Sequence, residues 1–300
     1  MGLIRKLFLD GDWKIGIRKH QNKGLFDYSS DFVSVKDNKK FWFADPLVFN
    51  YKGTSFLFCE AFDKKEYKGV IGYFVIDENA KVGEFRECIR EGYHLSYPCI
   101  FEKDDKVYMV PESGENNSLA LYEAKNFPND WVKVKSLNTD FFADPTIYTL
   151  NGEIYLFVYN EKKPYQAKLY KFDKNLDLVL INTINYEKNV GRPAGYFFNY
   201  DKNLYRPAQN SSEMYGKSIR FYQINNMESS YKEEAVLDVN NNEIIVDRKK
   251  GVDRIHTYST DGVFECIDYN NLHFHLFKRF NIIKRSKAVK RRKQERGHQL

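Results

Sequence analysis

Phe43-Ala44-Asp45-Pro46-Leu47-Val48-Phe49 and Phe142-Ala143-Asp144-Pro145-Thr146-Ile147-Tyr148 are two copies of one pattern. The first continues through Tyr51-Lys52-Gly53 into Phe56-Leu57-Phe58, the second through Asn151-Gly152 into Ile154-Tyr155-Leu156-Phe157. Between them, Tyr97-Pro98-Cys99-Ile100-Phe101 leads through Asp104-Asp105 to Val107-Tyr108-Met109-Val110. Beyond them, Arg192-Pro193-Ala194-Gly195-Tyr196-Phe197-Phe198 leads past Asp201 to Leu204-Tyr205. A fifth, weaker copy is Asp253-Arg254-Ile255-His256-Thr257-Tyr258, then Asp261-Gly262 and Val263-Phe264. The prolines at 46, 98, 145 and 193 are 52, 47 and 48 residues apart, and Arg254 follows 61 further on. Short strands recurring at about 40–50 residues are the signature of propeller blades.

Each copy places aromatic and β-branched residues on either side of a turn carrying Gly, Asn or Asp, which accept the positive φ of tight hairpins. Two more strands fit before the next copy, with candidates at 70–76, 119–124, 167–172 and 218–224. Four antiparallel strands per repeat make a blade. The expected fold is therefore all-β, a five-bladed β-propeller over residues 1–277 followed by a basic C-terminal tail over 278–300, partly helical or disordered. Trp13-Lys14-Ile15-Gly16-Ile17 alternates correctly to close the ring by pairing into the last blade, which removes the free sheet edge. A β-sandwich or two small β-domains is the competing architecture. The 22 Tyr and 24 Phe suit strands and blade packing; stacking on sugar rings is a secondary reading.

Charge is unevenly spread. Residues 278–300 hold ten Lys or Arg and one Glu, a net of +9; the whole chain is +6, which leaves 1–277 at −3. Such a tail can be a solvated end, a nucleic-acid arm or a clamp on anionic lipid. Nothing in the body resembles a base-reading module, so no nucleic-acid partner is expected. Cys59, Cys88, Cys99 and Cys266 have no metal-ligand spacing and read as buried free thiols. The apolar run after Met1 is too short for a secretory signal, and no run reaches the length of a membrane span. The expected location is the cytoplasm, with a peripheral position at the inner membrane face through the tail.

The start of each copy should converge on the propeller axis, which gathers Asp45, Tyr97, Asp144, Arg192, and Asp253 with Arg254 around one funnel. Buried charge is costly unless paired, so either a functional site or a ring of structural ion pairs is implied. Fourteen residues after each proline position stand Glu60, Glu112, Tyr159 and Asp268. His94 precedes an inner strand near the mouth, His256 lies inside the fifth copy, and Ser113, Arg206 and Gln209 follow apolar strands. Phosphate-loop, dinucleotide, zincin and serine-hydrolase motifs are absent. His273 and His275 share a strand face but have no third ligand in view, so no metal and no cofactor are expected.

At its Asp-Pro repeats the chain resembles the five-bladed propellers of family-43 glycoside hydrolases. That resemblance implies Asp45 as base and Asp144 as tuner of an acid. The acid's position carries Arg192, which does not release its proton, while hydrolysis needs two carboxyl groups. Phe43-Ala44-Asp45-Pro46, His94-Leu95-Ser96-Tyr97-Pro98, Pro111-Glu112-Ser113, Asp144-Pro145-Thr146, Arg192-Pro193-Ala194-Gly195 and Tyr205-Arg206-Pro207-Ala208-Gln209 resemble more closely the N-terminal propeller domain of glucosamine inositolphosphorylceramide transferases. The likeness runs over roughly residues 40–270 and includes bacterial stand-alone relatives. It implies a carbohydrate-active protein of cell-envelope polysaccharide or glycolipid assembly. The first reading is a sugar or substituent transferase with Asp45, Asp144 and Glu112 as catalytic groups. Glu60, His94, Tyr97, Ser113, Arg192, Arg206, Gln209, Asp253, Arg254 and His256 are then substrate-binding candidates. Arg192 and Arg206 are assigned to a phosphate, since the guanidinium is a bidentate donor. A glycoside hydrolase with Glu112 as substitute acid and a non-catalytic glycan-binding module are the alternatives. The expected partners are a carbohydrate or phosphate-bearing glycan and an anionic membrane surface.

Overall fold

The X-Pro pairs recur because each marks the same local device. In the first blade Ala44 pairs with Glu60 and Leu47 with Phe58, so Asp45 and Pro46 together oppose one residue. The same break separates Ser96 from Cys99 in the second blade and Ala143 from Thr146 in the third. This is a β-bulge, where a proline does no harm because its missing N–H falls in a gap of the ladder. The residue ahead of the proline takes a left-handed backbone: φ is 50° at Asp45, 47° at Tyr97 and 43° at Asp144. Such conformations are rare outside glycine and concentrate where a side chain must be aimed.

A computed structural model describes residues 9–10, 12–227, 230–274 and 278–297. Five four-stranded antiparallel sheets follow one another as the blades of a propeller. Their innermost strands are Phe41–Tyr51, Ser96–Lys103, Ala143–Leu150, Phe198–Tyr200 and Arg254–Thr260. The third strands begin at Lys68, Leu119, Tyr165 and Ser218, in the stretches the repeat left for them. The fifth blade takes its third and fourth strands, Lys14–Lys19 and Val33–Ser34, from the start of the chain. Both ends of the polypeptide therefore close the ring.

The core has the shape this topology dictates. Five apolar clusters each lie between two neighbouring blades, and no single cluster fills the centre. The one between the fifth and first blades joins Ile15, Ile17 and Cys266 to Phe43, Leu57 and Val70. Each such side chain fully buried contributes about 1.5–3 kcal/mol, so every seam holds the ring. Two-sided burial also explains why the inner strands read as apolar runs and not as a clean alternation. Gly195, at φ +141°, shows how tight the centre is: a Cβ there would lie 1.7 Å from the carbonyl oxygen of Tyr258.

The C-terminal residues form one helix, Lys278–Gly297. Arg292 on it is buried and donates to Glu115 at 3.0 and 3.2 Å and to the carbonyls of Glu66 and Tyr67 at 3.0 and 3.4 Å. The helix thus docks on the first and second blades. No helix among the described residues is long and apolar enough to cross a membrane.

Candidate active site

A cavity of about 700 Å³ opens at the centre of the ring. All five blades reach it, the first through Asp45 and Glu60, the second through His94 and Glu112. The third contributes Glu161, the fourth Arg192 and Tyr215, the fifth Arg254 and His256. The docked helix adds Arg285.

Two carboxylates hold the bulges in place from the neighbouring blade. The amide of Asp45 donates to Asp268 Oδ2 at 3.0 Å, and the amide of Asp144 donates to Glu112 Oε2 at 2.9 Å. Of the acids fourteen residues on, Glu112 and Asp268 are therefore latches across blade seams, and Glu60 and Glu112 line the funnel.

Around Asp45 stand an imidazole and the second carboxylate that orients it. Asp268, wholly buried, meets His256 Nδ1 at 2.5 Å, and its other oxygen accepts from the amides of His256 and Thr257 at 3.1 and 2.8 Å. His256 Nε2 lies 3.8 Å from Asp45 Oδ1, which also accepts from the Thr257 hydroxyl at 3.3 Å. The imidazole stacks on Trp13 with ring centres 3.8 Å apart, and Tyr215 meets it edge-on at 5.2 Å. Burial pushes the Asp45 carboxyl up to about 7 against the pull of His256, with Asp144 and Asp268 adding repulsion. Burial works against a charged His256, but the Asp268 and Asp45 carboxylates outweigh it and raise its pKa. A carboxyl that titrates near neutrality beside an oriented imidazole suits general-base chemistry. Asp45, His256 and Asp268 also form a group of potential metal donors, with ligand atoms within 4.8 Å of one another. His256 Nδ1 already faces Asp268, so only its Nε2 would be open to a cation.

Two further carboxyls of the cavity, Glu60 and Glu112, are also raised. Glu60 is pushed well above the carboxylate range by burial and by Asp45. Glu112 rises through burial despite Arg192. His94 accepts the Gly69 amide on Nδ1 at 2.8 Å, so its proton sits on Nε2, 3.5 Å from Glu60 Oε1. Burial, with Arg285 and Arg292 nearby, lowers its pKa to about 4 and keeps it neutral, although Glu115 pulls the other way.

Of the residues singled out in the sequence, Asp45, Glu60, His94, Glu112, Arg192, Arg254 and His256 line the cavity. Asp144 lies behind it, 1% exposed, where it accepts from Arg192 Nε at 2.5 Å and Gln209 at 2.7 Å. Tyr97 is wholly buried and ties the seams together: its hydroxyl meets Thr146 at 2.9 Å and accepts the Gly195 amide at 2.7 Å. Ser113 closes a turn onto the Ser118 carbonyl. Arg206 is sealed between the third and fourth blades, paired with Glu233 at 2.8 Å and packed over Phe157. Asp253 faces solvent and accepts the Leu272 amide. The fifth bulge falls at His256, between the pairs Ile255–Tyr269 and Thr257–Asp268, and not at Asp253-Arg254. His275 lies outside the described residues. Trp13, Trp42, Phe62, Tyr215 and Arg285 line the cavity without having been singled out for it. Aromatic residues flanking the repeats were the only signal for the first four.

The family described as glucosamine inositolphosphorylceramide transferase 1, N-terminal, matches residues 29–258. A glucosamine inositolphosphorylceramide transferase 1 of Oryza sativa subsp. indica is 29% identical over 227 residues, 70% of this chain and 28% of that protein. Its counterpart in Arabidopsis thaliana is 31% identical over 198 residues, 60% of this chain and 25% of that one. The chain thus spans about a quarter of the length of these relatives. Among solved structures, a GH43_1 enzyme of Xanthomonas citri complexed with xylotriose superposes with a TM-score of 0.56 at 9% identity, covering 78% of this chain and 88% of that one. The α-L-arabinofuranosidase PaAbf62A of Podospora anserina gives 0.56 at 12% identity, with 87% and 98% covered. At these identities the likeness is one of fold.

Proposed function

This chain belongs to the glucosamine inositolphosphorylceramide transferase 1 N-terminal family, and on that premise we propose that it transfers a sugar or substituent group in glycolipid or cell-envelope polysaccharide assembly, with the funnel as its active site. The observation that carries the reading is Asp45, poised near pH 7 in the cavity beside an imidazole that Asp268 orients. Asp45 would take the proton of an acceptor hydroxyl as that oxygen bonds to the transferred carbon. Glu112, held protonated, would give its proton to the departing oxygen. Arg192, bound to Asp144, Glu112 and Glu161, would hold these acids in register. Trp13, Trp42 and Tyr215 line the cavity and would give a sugar apolar surface to pack on.

The docked helix supports the membrane half of this reading. With Arg292 turned inward, Lys284, Lys287, Lys290, Arg291 and Lys293 are exposed to an anionic surface. A peripheral position at the inner face of a cytoplasmic membrane would present lipid-linked substrates to the funnel.

Glycoside hydrolysis is the second reading. Its favouring observation is that Glu60 and Glu112, both raised by burial, share the cavity with a potential base, the pairing hydrolysis needs. The deciding experiment incubates the protein with nucleotide sugars and lipid-linked acceptors, and separately with aryl glycosides, with products followed by mass spectrometry. A transferred product that disappears in Asp45→Asn supports transfer. Free sugar from an aryl glycoside, lost in Glu112→Gln, replaces it with hydrolysis. Neither product would leave a glycan-binding module.

A further inference from the structure

We propose that Arg254 of the fifth blade and Arg285 of the C-terminal helix form a subsite for a phosphate-type oxyanion carried by the substrate, which makes the helix part of the binding wall. The inference rests on the transfer reading and gives its substrate a chemical class. The sequence assigned a phosphate to Arg192 and Arg206, but both are occupied. Arg192 binds Asp144, Glu112 and Glu161, and Arg206 is sealed against Glu233.

Arg254 and Arg285 line the same cavity and pair with no carboxylate among the described residues. Arg254 Nε is buried with no hydrogen-bond partner, an expensive arrangement unless a ligand completes it. Arg285 packs its guanidinium over Phe62, 5.1 Å from the ring centre. That contact covers one face, and the N–H groups at its edge have no hydrogen-bond partner among the described residues. Of the groups sharing the cavity wall, Glu60 is raised by burial and by Asp45 although Arg285 pulls it down, and His94 is lowered to about 4.

The helix is built to deliver Arg285. Residues seven apart lie on one face, so Arg285 and Arg292 point to the same side, with half-buried Ala288 and Val289 between them. Arg292, anchored on Glu115 and on the carbonyls of Glu66 and Tyr67, is a positioning residue for Arg285. The lysines on the other side take no part in the cavity. A phosphate meeting two guanidinium edges is recognised by charge-assisted bonds, the strongest class available.

Calorimetry with inorganic pyrophosphate tests the subsite on the full chain. Arg285→Gln and Arg254→Gln should each weaken binding about tenfold or more, as loss of a charge-assisted bond does. Arg285→Lys and Arg254→Lys should retain part of the affinity, which separates lost charge from lost packing. Lys174→Gln, on an exposed hairpin of the third blade, should bind as the parent does. Equal affinity in parent and Gln variants, or an equal loss in Lys174→Gln, would overturn the subsite. Competition by uridine diphosphate would name a nucleotide-linked source, and competition by dihexanoyl phosphatidylglycerol a lipid-linked one. Displacement by neither would sink the substrate claim. Binding is read without turnover, so a protein that binds through these arginines yet transfers nothing refutes the transfer reading alone.

Discussion

Asp45→Asn should inactivate the protein and, at neutral and higher pH, stabilise it. Asp45 is 7% exposed, and burial lifts its carboxyl from 3.8 to about 7. In the unfolded chain it ionises near 3.8, so between those values the folded state binds the extra proton. Stability therefore falls as pH rises through that window. The shift is about 3 units, which sets a cost of about 4 kcal/mol at pH 8, about 1.5 kcal/mol at pH 5 and almost none at pH 3. Asparagine keeps the volume and has no charge to bury. His256, raised by its carboxylate neighbours, stabilises the fold at low pH and loses that contribution as pH rises through its folded value. Removing Asp45 weakens that dependence as well. The assay is urea unfolding of parent and variant at pH 5 and pH 8. The difference between them should move in favour of the variant by about 2–3 kcal/mol across that interval. Comparing two pH values cancels any fixed effect of the amide on packing. A difference that stays constant would show that Asp45 titrates normally and would remove the basis for calling it a base. In the parent, the activity of a base with this pKa should rise through about pH 7.

Asp144→Asn should lower stability by about 1–3 kcal/mol, because Arg192 and Gln209 lose a buried carboxylate partner; thermal unfolding measures it, and an unchanged midpoint would contradict the pairing. Arg206→Met should cost about 3–5 kcal/mol by leaving Glu233 buried without its guanidinium, and chemical denaturation reads the loss. Gly195→Ala should give no stably folded protein, since the added carbon would overlap the Tyr258 carbonyl; a normal circular-dichroism melt would refute the central packing. Deleting 278–300 should leave the propeller folded and weaken sedimentation with phosphatidylglycerol vesicles. Each basic residue near such a surface contributes on the order of 1 kcal/mol, and the difference should shrink in high salt.

The ring was legible because its bulges are written in the sequence. A two-over-one bulge next to the funnel accepts proline, so a proline recurs at the same place in the first three blades, after Asp45, Tyr97 and Asp144. The fifth blade was misread for the same reason. Its bulge inserts the single residue His256 without a proline, and aligning Arg254 with the prolines placed Asp253 in the centre when it lies at the surface. Arg206 and Gln209 were read as ligand contacts on a loop after an apolar strand, but both lie within the strand Asn203–Asn210. The structure turns Arg206 into a blade seam and puts Gln209 behind Arg192. Trp13 and Arg285 lie near opposite ends of the chain. Only ring closure brings the first to His256, and only helix docking brings the second to Phe62.

The latch between Asp268 and the Asp45 amide joins residues 223 positions apart, and Trp13 against His256 spans more still. Both cross the seam where the first and last segments of the chain meet. Before that seam closes, Asp45 is an ordinary solvated aspartate with no imidazole beside it and no reason to hold a proton at neutral pH. Under the proposed function, reactivity at the funnel would be a readout of a finished ring. A chain still emerging, or one nicked so that the Lys14–Lys19 strand is lost, would hold most of its blades and none of its base.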